Sequence, residues 1–274
     1  MATMPLSPNA ITPSPWRRLP GELLARERRL ARYGFVLLAL LVPLALAWAL
    51  DDRVLRDANV WIKPFKFTLS VAVLALTTAW FVGHLPAARR THRSVDWIVG
   101  LLMGSGTFEL VYITLQAALG QASHYNETDL LHTVMYTLMG IGALVLTATQ
   151  PMLAWQLHRH PDATRPRVYR HAVLLGLVLT FVLGAGAGML LGNRPPASAG
   201  ATLPVLGWSL AGGDLRPAHF VGIHAEQLLP FIAQAALAAR LRRPAWAAWV
   251  MWGFAGVYMM LFGALAVWGL AGRH

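Results

Sequence analysis

The chain has 274 residues, of which 56% are hydrophobic and 13% are charged, and its mean hydropathy is +0.50. This composition excludes a disordered chain and argues against a soluble globular domain. The formal net charge of +11 raises the question of nucleic-acid binding, and the absence of cysteine excludes disulfides, thiolate metal sites and cysteine nucleophiles.

Seven apolar segments follow one another along the chain, each near the length that a hydrocarbon core about 30 Å thick requires. They cover residues 33–50, 64–84, 97–118, 131–155, 172–192, 218–238 and 246–271. They predict an all-α polytopic membrane protein, with a single seven-helix transmembrane domain over residues 33–274. Residues 1–32 are predicted to form a cytoplasmic N-terminal segment with a short basic amphipathic helix from Leu19 to Arg32.

The positions of the basic residues predict the orientation of the bundle. Sixteen of the 23 Lys and Arg lie before the first span or after the second, fourth and sixth spans. By the positive-inside rule, the N-terminus is then cytoplasmic and the C-terminus is outside. The retention of Lys and Arg on the cytoplasmic side of the membrane therefore accounts for most of the positive charge. We expect an integral protein of the bacterial cytoplasmic (inner) membrane whose partner is the lipid bilayer, with no nucleic-acid partner.

Two local patterns predict how individual spans are built. Gly184, Gly188 and Gly192 form a doubled small-xxx-small pattern in the fifth span, which is typical of close helix packing. Pro230 predicts a kink in the sixth span.

Polar side chains enter four of the predicted spans and fall on one side of each helix at 100° per residue. The main members are Lys63, Lys66, Ser70 and Thr77 in the second span; Ser105, Glu109, Tyr112 and Gln116 in the third; His132, Tyr136, Thr147 and Gln150 in the fourth; and His219, His224, Glu226, Gln227 and Gln234 in the sixth. Polar groups inside a membrane are costly and usually face the bundle interior, so the four stripes predict a shared cavity. Glu109 is deepest, about 15 Å from the outer end of its span. All four stripes therefore lie in the outer leaflet or near the midplane, which predicts that the cavity opens outward.

The only two lysines, Lys63 and Lys66, lie in one heptapeptide, whereas the other basic residues are all arginine. A lysine is a compact charge that can meet an anionic headgroup or pair with a buried carboxylate. Alternatively, both lysines snorkel beside an aromatic belt that includes Trp61. The candidate substrate-binding residues are Lys63, Lys66, Arg216, Gln116, Gln227 and Tyr136.

Four of the ten histidines, His124, His132, His219 and His224, are predicted to lie on the outer side. Neutral imidazole is the commonest metal ligand, and Asp or Glu can complete such a site. His219 and His224 are about 140° apart on one helix, so another helix would have to contribute. The candidate metal ligands are His132, His219, His224 and Asp214. Taken alone, each histidine fits a hydrogen-bonded role in the bundle better than a role as a metal ligand, and Asp214 can cap the sixth helix.

Three motifs carry a resemblance to known families: WxKPxKF at residues 61–67, SHYN at residues 123–126 and GDLRxxHFxGxHxxQ at residues 213–227. Over about residues 60–235 the chain resembles an uncharacterised family of bacterial seven-span membrane proteins, which implies the seven-span fold but no activity. It is more weakly similar to the seven-span metal-dependent membrane hydrolases that include alkaline ceramidases. Their paired histidines lie on the last helix, whereas here His219 and His224 lie on the sixth.

These features lead to three functional hypotheses. The first is a metal-dependent, hydrolase-like enzyme that acts on a lipid-like or amphipathic substrate and uses a divalent metal such as zinc. Its catalytic candidates are Glu109, as a buried proton acceptor, His224 and Tyr112. The second is a haem b or quinone-linked electron-transfer protein in which two of the histidines are axial ligands. The third is a non-catalytic sensor or proton-coupled transporter in which Glu109, Glu226 and histidine titrate during a conformational change.

Overall fold

The computed structural model describes residues 15–56, 58–194, 202–203, 206–209, 211–239 and 244–271. In this part of the chain, six helices are long and apolar enough to cross a membrane, and a bent pair of shorter helices brings the number of spans to as many as seven. The prediction of an all-α polytopic membrane protein is therefore confirmed.

The helices occur in the following order. They are α1 (Pro15–Arg26), α2 (Arg28–Leu50), α3 (Ile62–Val82), α4 (Ala87–Arg90), α5 (Arg93–Ala118), α6 (Leu130–Arg159), α7 (Arg167–Leu179), a π-helical turn (Thr180–Ala185), α8 (Gly186–Gly192), α9 (Arg216–Ile223), α10 (Ala225–Ala238) and α11 (Pro244–Ala271). Two short antiparallel strands, β1 (Val54–Leu55) and β2 (Ala58–Asn59), lie between α2 and α3. The segment α7, π-helical turn and α8 is one span, and α9 with α10 is the bent pair.

The predicted amphipathic helix from Leu19 to Arg32 is instead divided between two helices. Glu27 lies between α1 and α2 in an extended conformation, and its side chain accepts a hydrogen bond from the Leu30 backbone N–H. A carboxylate in this position caps the first turn of a helix. The last part of the predicted surface helix therefore belongs to the first span.

Successive spans alternate in direction, so their connections gather at two ends of the bundle. At one end, the Arg53 side chain, which follows α2, donates a hydrogen bond to the Ala118 carbonyl at the end of α5. Helix α3 begins at this end with Ile62 and Lys63, so we call it the Lys63 end. At the other, Arg29 of α2 pairs with Asp96 in the first turn of α5. We call this the Arg29 end.

The helices differ in how much apolar surface they expose. The α7–α10 pair packs so closely that a Cβ atom added at Gly176 would lie 2.9 Å from the Glu226 Cα. By contrast, α2 and α11 expose large apolar side chains, such as Val42 and Trp249. Apolar surface on this scale is typical of helices that contact lipid.

The sixth span, predicted as one helix over residues 218–238, is broken at His224. The axes of α9 and α10 meet there at 52°. Pro230, the residue that predicted a kink, lies within α10 and six residues beyond the break.

Candidate functional site

A hydrogen-bonded cluster of polar side chains lies at the Lys63 end. The Lys63 Nζ, in the first turn of α3, donates to the Ser123 Oγ at 2.8 Å. The same Oγ lies 3.3 Å from the His124 Nδ1. Ser123 and His124 belong to the connection between α5 and α6, so this cluster joins a helix start to a loop.

An arginine from the β1–β2 turn holds this loop in a strained conformation. Arg56 donates to the carbonyls of His124 and Tyr125, at 3.2 Å in each case. Arg56 and Tyr125 both have a positive φ, 52° and 54°, which costs a residue with a side chain about 1–2 kcal/mol. The Tyr125 hydroxyl also donates to the Leu191 carbonyl at the end of α8. These contacts offset the strain and fix Ser123 beside Lys63.

Aromatic rings surround the imidazole of His124. The ring centroids of Phe67 and Tyr136 lie 6.2 and 5.8 Å from it. Burial, reinforced by the neighbouring positive charge of Lys63, lowers the pKa of His124 to about 3, so this imidazole is neutral at pH 7. It can therefore accept a hydrogen bond from Ser123, but it is a weak base.

A short turn of the connection between α8 and α9 contacts the second lysine. Lys66 Nζ donates to the Leu206 carbonyl at 3.1 Å. Arg216, at the start of α9, donates to the Gly207 carbonyl at 2.6 Å. Both basic side chains thus hold the same turn against the Lys63 end.

Asp214 ties this turn to the beginning of α9. Its fully buried carboxylate accepts hydrogen bonds from the Arg216 guanidinium and from the backbone N–H of Ser209. Burial opposes ionisation of this carboxyl, but the hydrogen bonds from Arg216 and Ser209 outweigh it and lower the pKa of Asp214. Asp214 is therefore a charged structural anchor, already paired with Arg216.

Glu109 lies deeper in the bundle, on α5. Its side chain is 2% exposed, and neither carboxyl oxygen has a hydrogen-bond partner among the described residues. A Cβ atom added at Gly142 of α6 would lie 2.8 Å from its Oε1, so the absent side chain there makes room for the carboxyl group. Tyr112 and Gln116 are buried on the same helix, nearer the Lys63 end. The predicted stripe of α5 therefore faces the interior.

The structure does not bring the predicted metal ligands together. Among the described residues, no group of three or more His, Asp and Glu is placed to hold a metal ion. This is a correction to the predicted ligand set of His132, His219, His224 and Asp214.

Each of the three histidines in that set has a partner within the protein instead. His132 lies 2.7 Å from the carboxylate of Asp129, which caps α6. His219 Nδ1 lies 2.8 Å from the Gly184 carbonyl. The remaining pair is His224 Nδ1 and Gln227 Oε1, 3.3 Å apart.

The predicted substrate-binding residues do not form a single group. Lys63, Lys66, Arg216 and Tyr136 lie at the Lys63 end. Gln227 belongs to another cluster, where it donates to the Thr77 Oγ1 of α3 at 3.3 Å and to the Glu226 Oε1 at 2.9 Å. Gln116 is buried on α5, and its Oε1 has no partner among the described residues.

No protein-family model, curated protein or solved structure matches the chain. The structure shows a polytopic membrane protein with six or seven candidate spans. The resemblance to the two seven-span families therefore stays a prediction.

Proposed function

We propose that the protein binds an anionic, amphipathic molecule at the Lys63 end of the bundle. The observation that carries this proposal is the environment of the two lysines. Lys63 and Lys66 are partly buried, and each donates only to a neutral oxygen. Neither forms a salt bridge within the described residues, whereas Arg53 and Arg216 at the same end each pair with an aspartate. A cation withdrawn from water needs an opposite charge, and an anionic ligand would supply it.

The surroundings of the lysines favour a ligand that also has an apolar part. Lys63 Nζ lies 5.9 Å from the ring centroid of Phe67. Both lysines lie in the first turns of a membrane-spanning helix, where a headgroup can reach them while an acyl chain stays in the bilayer. The proposal therefore keeps the lipid-like substrate predicted from the sequence.

The metal-dependent part of that prediction is not included, because the described residues offer no ligand group. Electron transfer through haem b or a quinone stays a prediction.

The distribution of Lys and Arg between the two ends of the bundle supports placing the Lys63 end on the extracytoplasmic side of a bacterial inner membrane.

Thermal unfolding of the purified protein with oleoyl lysophosphatidate tests the proposal. We expect a saturable rise in melting temperature with this anionic lipid and none with monooleoylglycerol, its uncharged counterpart. Replacing either lysine by methionine, Lys63→Met or Lys66→Met, should weaken binding about 10- to 100-fold, because a hydrogen bond to a charged group contributes about 1.5–3 kcal/mol.

Arg53→Met is the matched control, since it removes a cation at the same end that Asp51 already neutralises. This variant should keep the affinity of the unmodified protein. Equal binding of the charged and uncharged lipids, or full affinity in both lysine variants, would refute the proposal.

A second candidate function is acyl transfer, favoured by the position of Ser123. Its Oγ lies between an amine and an imidazole, at 2.8 Å from Lys63 Nζ and 3.3 Å from His124 Nδ1. An unprotonated Lys63 could accept the hydroxyl proton while the Oγ attacks an ester carbonyl, and then return that proton to the leaving alcohol. Water would hydrolyse the resulting acyl-serine in the same way.

Labelling with a fluorophosphonate probe tests this candidate. The unmodified protein should be labelled, and Ser123→Ala should not. Ser105→Ala is the control, because the Ser105 hydroxyl only donates to the Leu101 carbonyl of its own helix. No labelling of the folded, unmodified protein would eliminate acyl transfer and leave the binding proposal intact.

A further inference from the structure

The break in the sixth span redirects backbone hydrogen bonds. In a continuous helix the Glu226 N–H would donate to the Gly222 carbonyl. Here it donates to the Thr180 Oγ1 of the π-helical turn, at 3.0 Å. Pro230 has no N–H to offer the Glu226 carbonyl. The Gly222 carbonyl therefore loses its usual helical donor, whereas the neighbouring Val221 carbonyl accepts hydrogen bonds from the His224 N–H and the Tyr258 hydroxyl.

A second irregular segment packs directly against the break. The π-helical turn, Thr180–Ala185, has wider hydrogen-bonded rings than an α-helix, and such turns are frequent at functional sites. A Cβ atom added at Gly222 would lie 2.7 Å from the backbone N of Gly184. The two distorted backbones thus touch with no side chain between them.

Glu226, whose backbone N–H bonds to the π-helical turn, carries a buried carboxyl group two residues beyond the break. The residue is fully buried; its Oε1 accepts a hydrogen bond from Gln227, and its Oε2 has no partner among the described residues. Among the described residues, Glu226 forms no salt bridge with any Lys, Arg or His. The partial charges of the two helix ends, about −0.5 at the end of α9 and about +0.5 at the start of α10, offset each other. One full negative charge is left without a counterion when the carboxyl is ionised.

We propose that the break at His224 is a binding site for a small monovalent cation, and that this cation is Na⁺. Glu226 Oε2 would supply the charged ligand, and carbonyl oxygens at the end of α9 would supply neutral ones. Hard cations prefer oxygen ligands, and broken membrane helices provide them. Glu226 lies about 15 Å along the helix from Arg216, so the site is near the middle of the bilayer.

Thermal unfolding of the full-length protein in lipid nanodiscs tests this site. NaCl is replaced stepwise by choline chloride at constant ionic strength and pH. We expect Na⁺ to raise the melting temperature saturably, by about 5 °C for a well-occupied site. Glu226→Gln should abolish this response. The control Glu109→Gln, at another buried carboxyl that has no hydrogen-bond partner among the described residues, should keep it.

Glu226→Asp provides a second variant if Glu226→Gln does not give a monodisperse protein. Shortening the side chain should raise the Na⁺ concentration at half-maximal stabilisation about tenfold. A melting temperature that responds to pH but not to Na⁺ would overturn the proposal, because a proton would then be the only counterion. Loss of the Na⁺ response in Glu109→Gln alone would also overturn it. The residues differ from those that carry the lipid proposal, so either can fail without the other.

Discussion

The environment of His84 makes the stability of the protein depend on pH. This side chain follows α3 at the Arg29 end, is 5% exposed, and its Nε2 has no hydrogen-bond partner among the described residues. Burial, together with nearby Arg165 and Arg26, lowers the pKa of His84 to about 3. The His84 ring packs edge-on against Tyr169 and at a tilt against Phe81, with ring centroids 5.6 and 5.5 Å away.

Replacing His84 by phenylalanine should therefore reduce acid sensitivity. Between pH 6.5 and about pH 3 the unfolded histidine binds a proton that the folded one does not, so stability falls as the pH is lowered through this window. The expected loss per such histidine is about 2 kcal/mol at pH 5. His124 behaves in the same way, so His84→Phe should reduce, without abolishing, the fall in melting temperature between pH 7 and pH 5.

The matched control for this prediction is His171→Phe, which changes an exposed histidine of the same end. It should leave the pH dependence unchanged. A His84→Phe variant that loses as much stability on acidification as the unmodified protein would show that His84 is not the responsible group.

Single residues of the candidate site differed in how far the sequence could predict them. Lys63 and Lys66 stand out because they are the only lysines among 23 basic residues. Ser123 belongs to the SHYN motif, which gave it no role, and Arg56 belongs to no motif; both lie outside the apolar spans and have no helical periodicity. Their place in the site depends on a loop and a turn that meet only in the folded protein.

At the level of elements, the crossing of α9 over the π-helical turn depends on glycine. The sequence predicted close packing from Gly184, Gly188 and Gly192. The first two face α9, whereas a Cβ atom at Gly192 would meet only the Tyr136 hydroxyl, at 3.9 Å. A Cβ atom at Gly184 would lie 2.7 Å from an Ile223 side-chain carbon, and one at Gly188 would lie 3.2 Å from the His219 ring. The partner glycine, Gly222, was not predicted because it lies on another span.

Gly222→Ala should therefore destabilise the protein. The added Cβ would lie 2.7 Å from the Gly184 backbone N and 2.8 Å from the Leu183 carbonyl carbon, which cannot move aside as a side chain can. Overpacking of this kind costs about 1–3 kcal/mol, so we expect the melting temperature in detergent to fall by several degrees.

Gly186→Ala is the control, because a Cβ atom at this position of α8 would have no atom within 4 Å. This change should be neutral or slightly stabilising, since alanine favours a helix more than glycine does. Equal melting temperatures for the two variants would mean that α9 and the π-helical turn are less closely packed than described.

The position of the break in the sixth span could not be predicted from the sequence. Long apolar runs predicted the spans, because the bilayer thickness sets their length. The visible signal for a bend was Pro230, yet the span bends at His224. The break depends on Thr180, which accepts the Glu226 N–H from a neighbouring helix, and no local pattern predicts such a contact.

At the scale of the whole molecule, two polar clusters of the described residues lie at different depths and share helix α3. The Lys63 cluster lies where α3 begins and joins loops at one end of the bundle. The Glu226 cluster lies deeper and joins α10 to α3 through Gln227 and Thr77. Because α3 contributes to both, a change in its position would affect both sites. Binding at the membrane surface and cation binding in the interior therefore have a physical route for coupling.

The orientation of the bundle can be tested because the chain has no native cysteine. Single cysteines in place of two exposed residues, Glu127→Cys in the α5–α6 connection and Ala163→Cys in the α6–α7 connection, report on the two ends. Arginines cluster beside Ala163, and clustered positive charge is retained in the cytoplasm. A membrane-impermeant maleimide should therefore label Glu127→Cys in intact cells, but should label Ala163→Cys only after permeabilisation. The reverse pattern would place both lysines on the cytoplasmic side, where the anionic molecule would have to come from the inner leaflet.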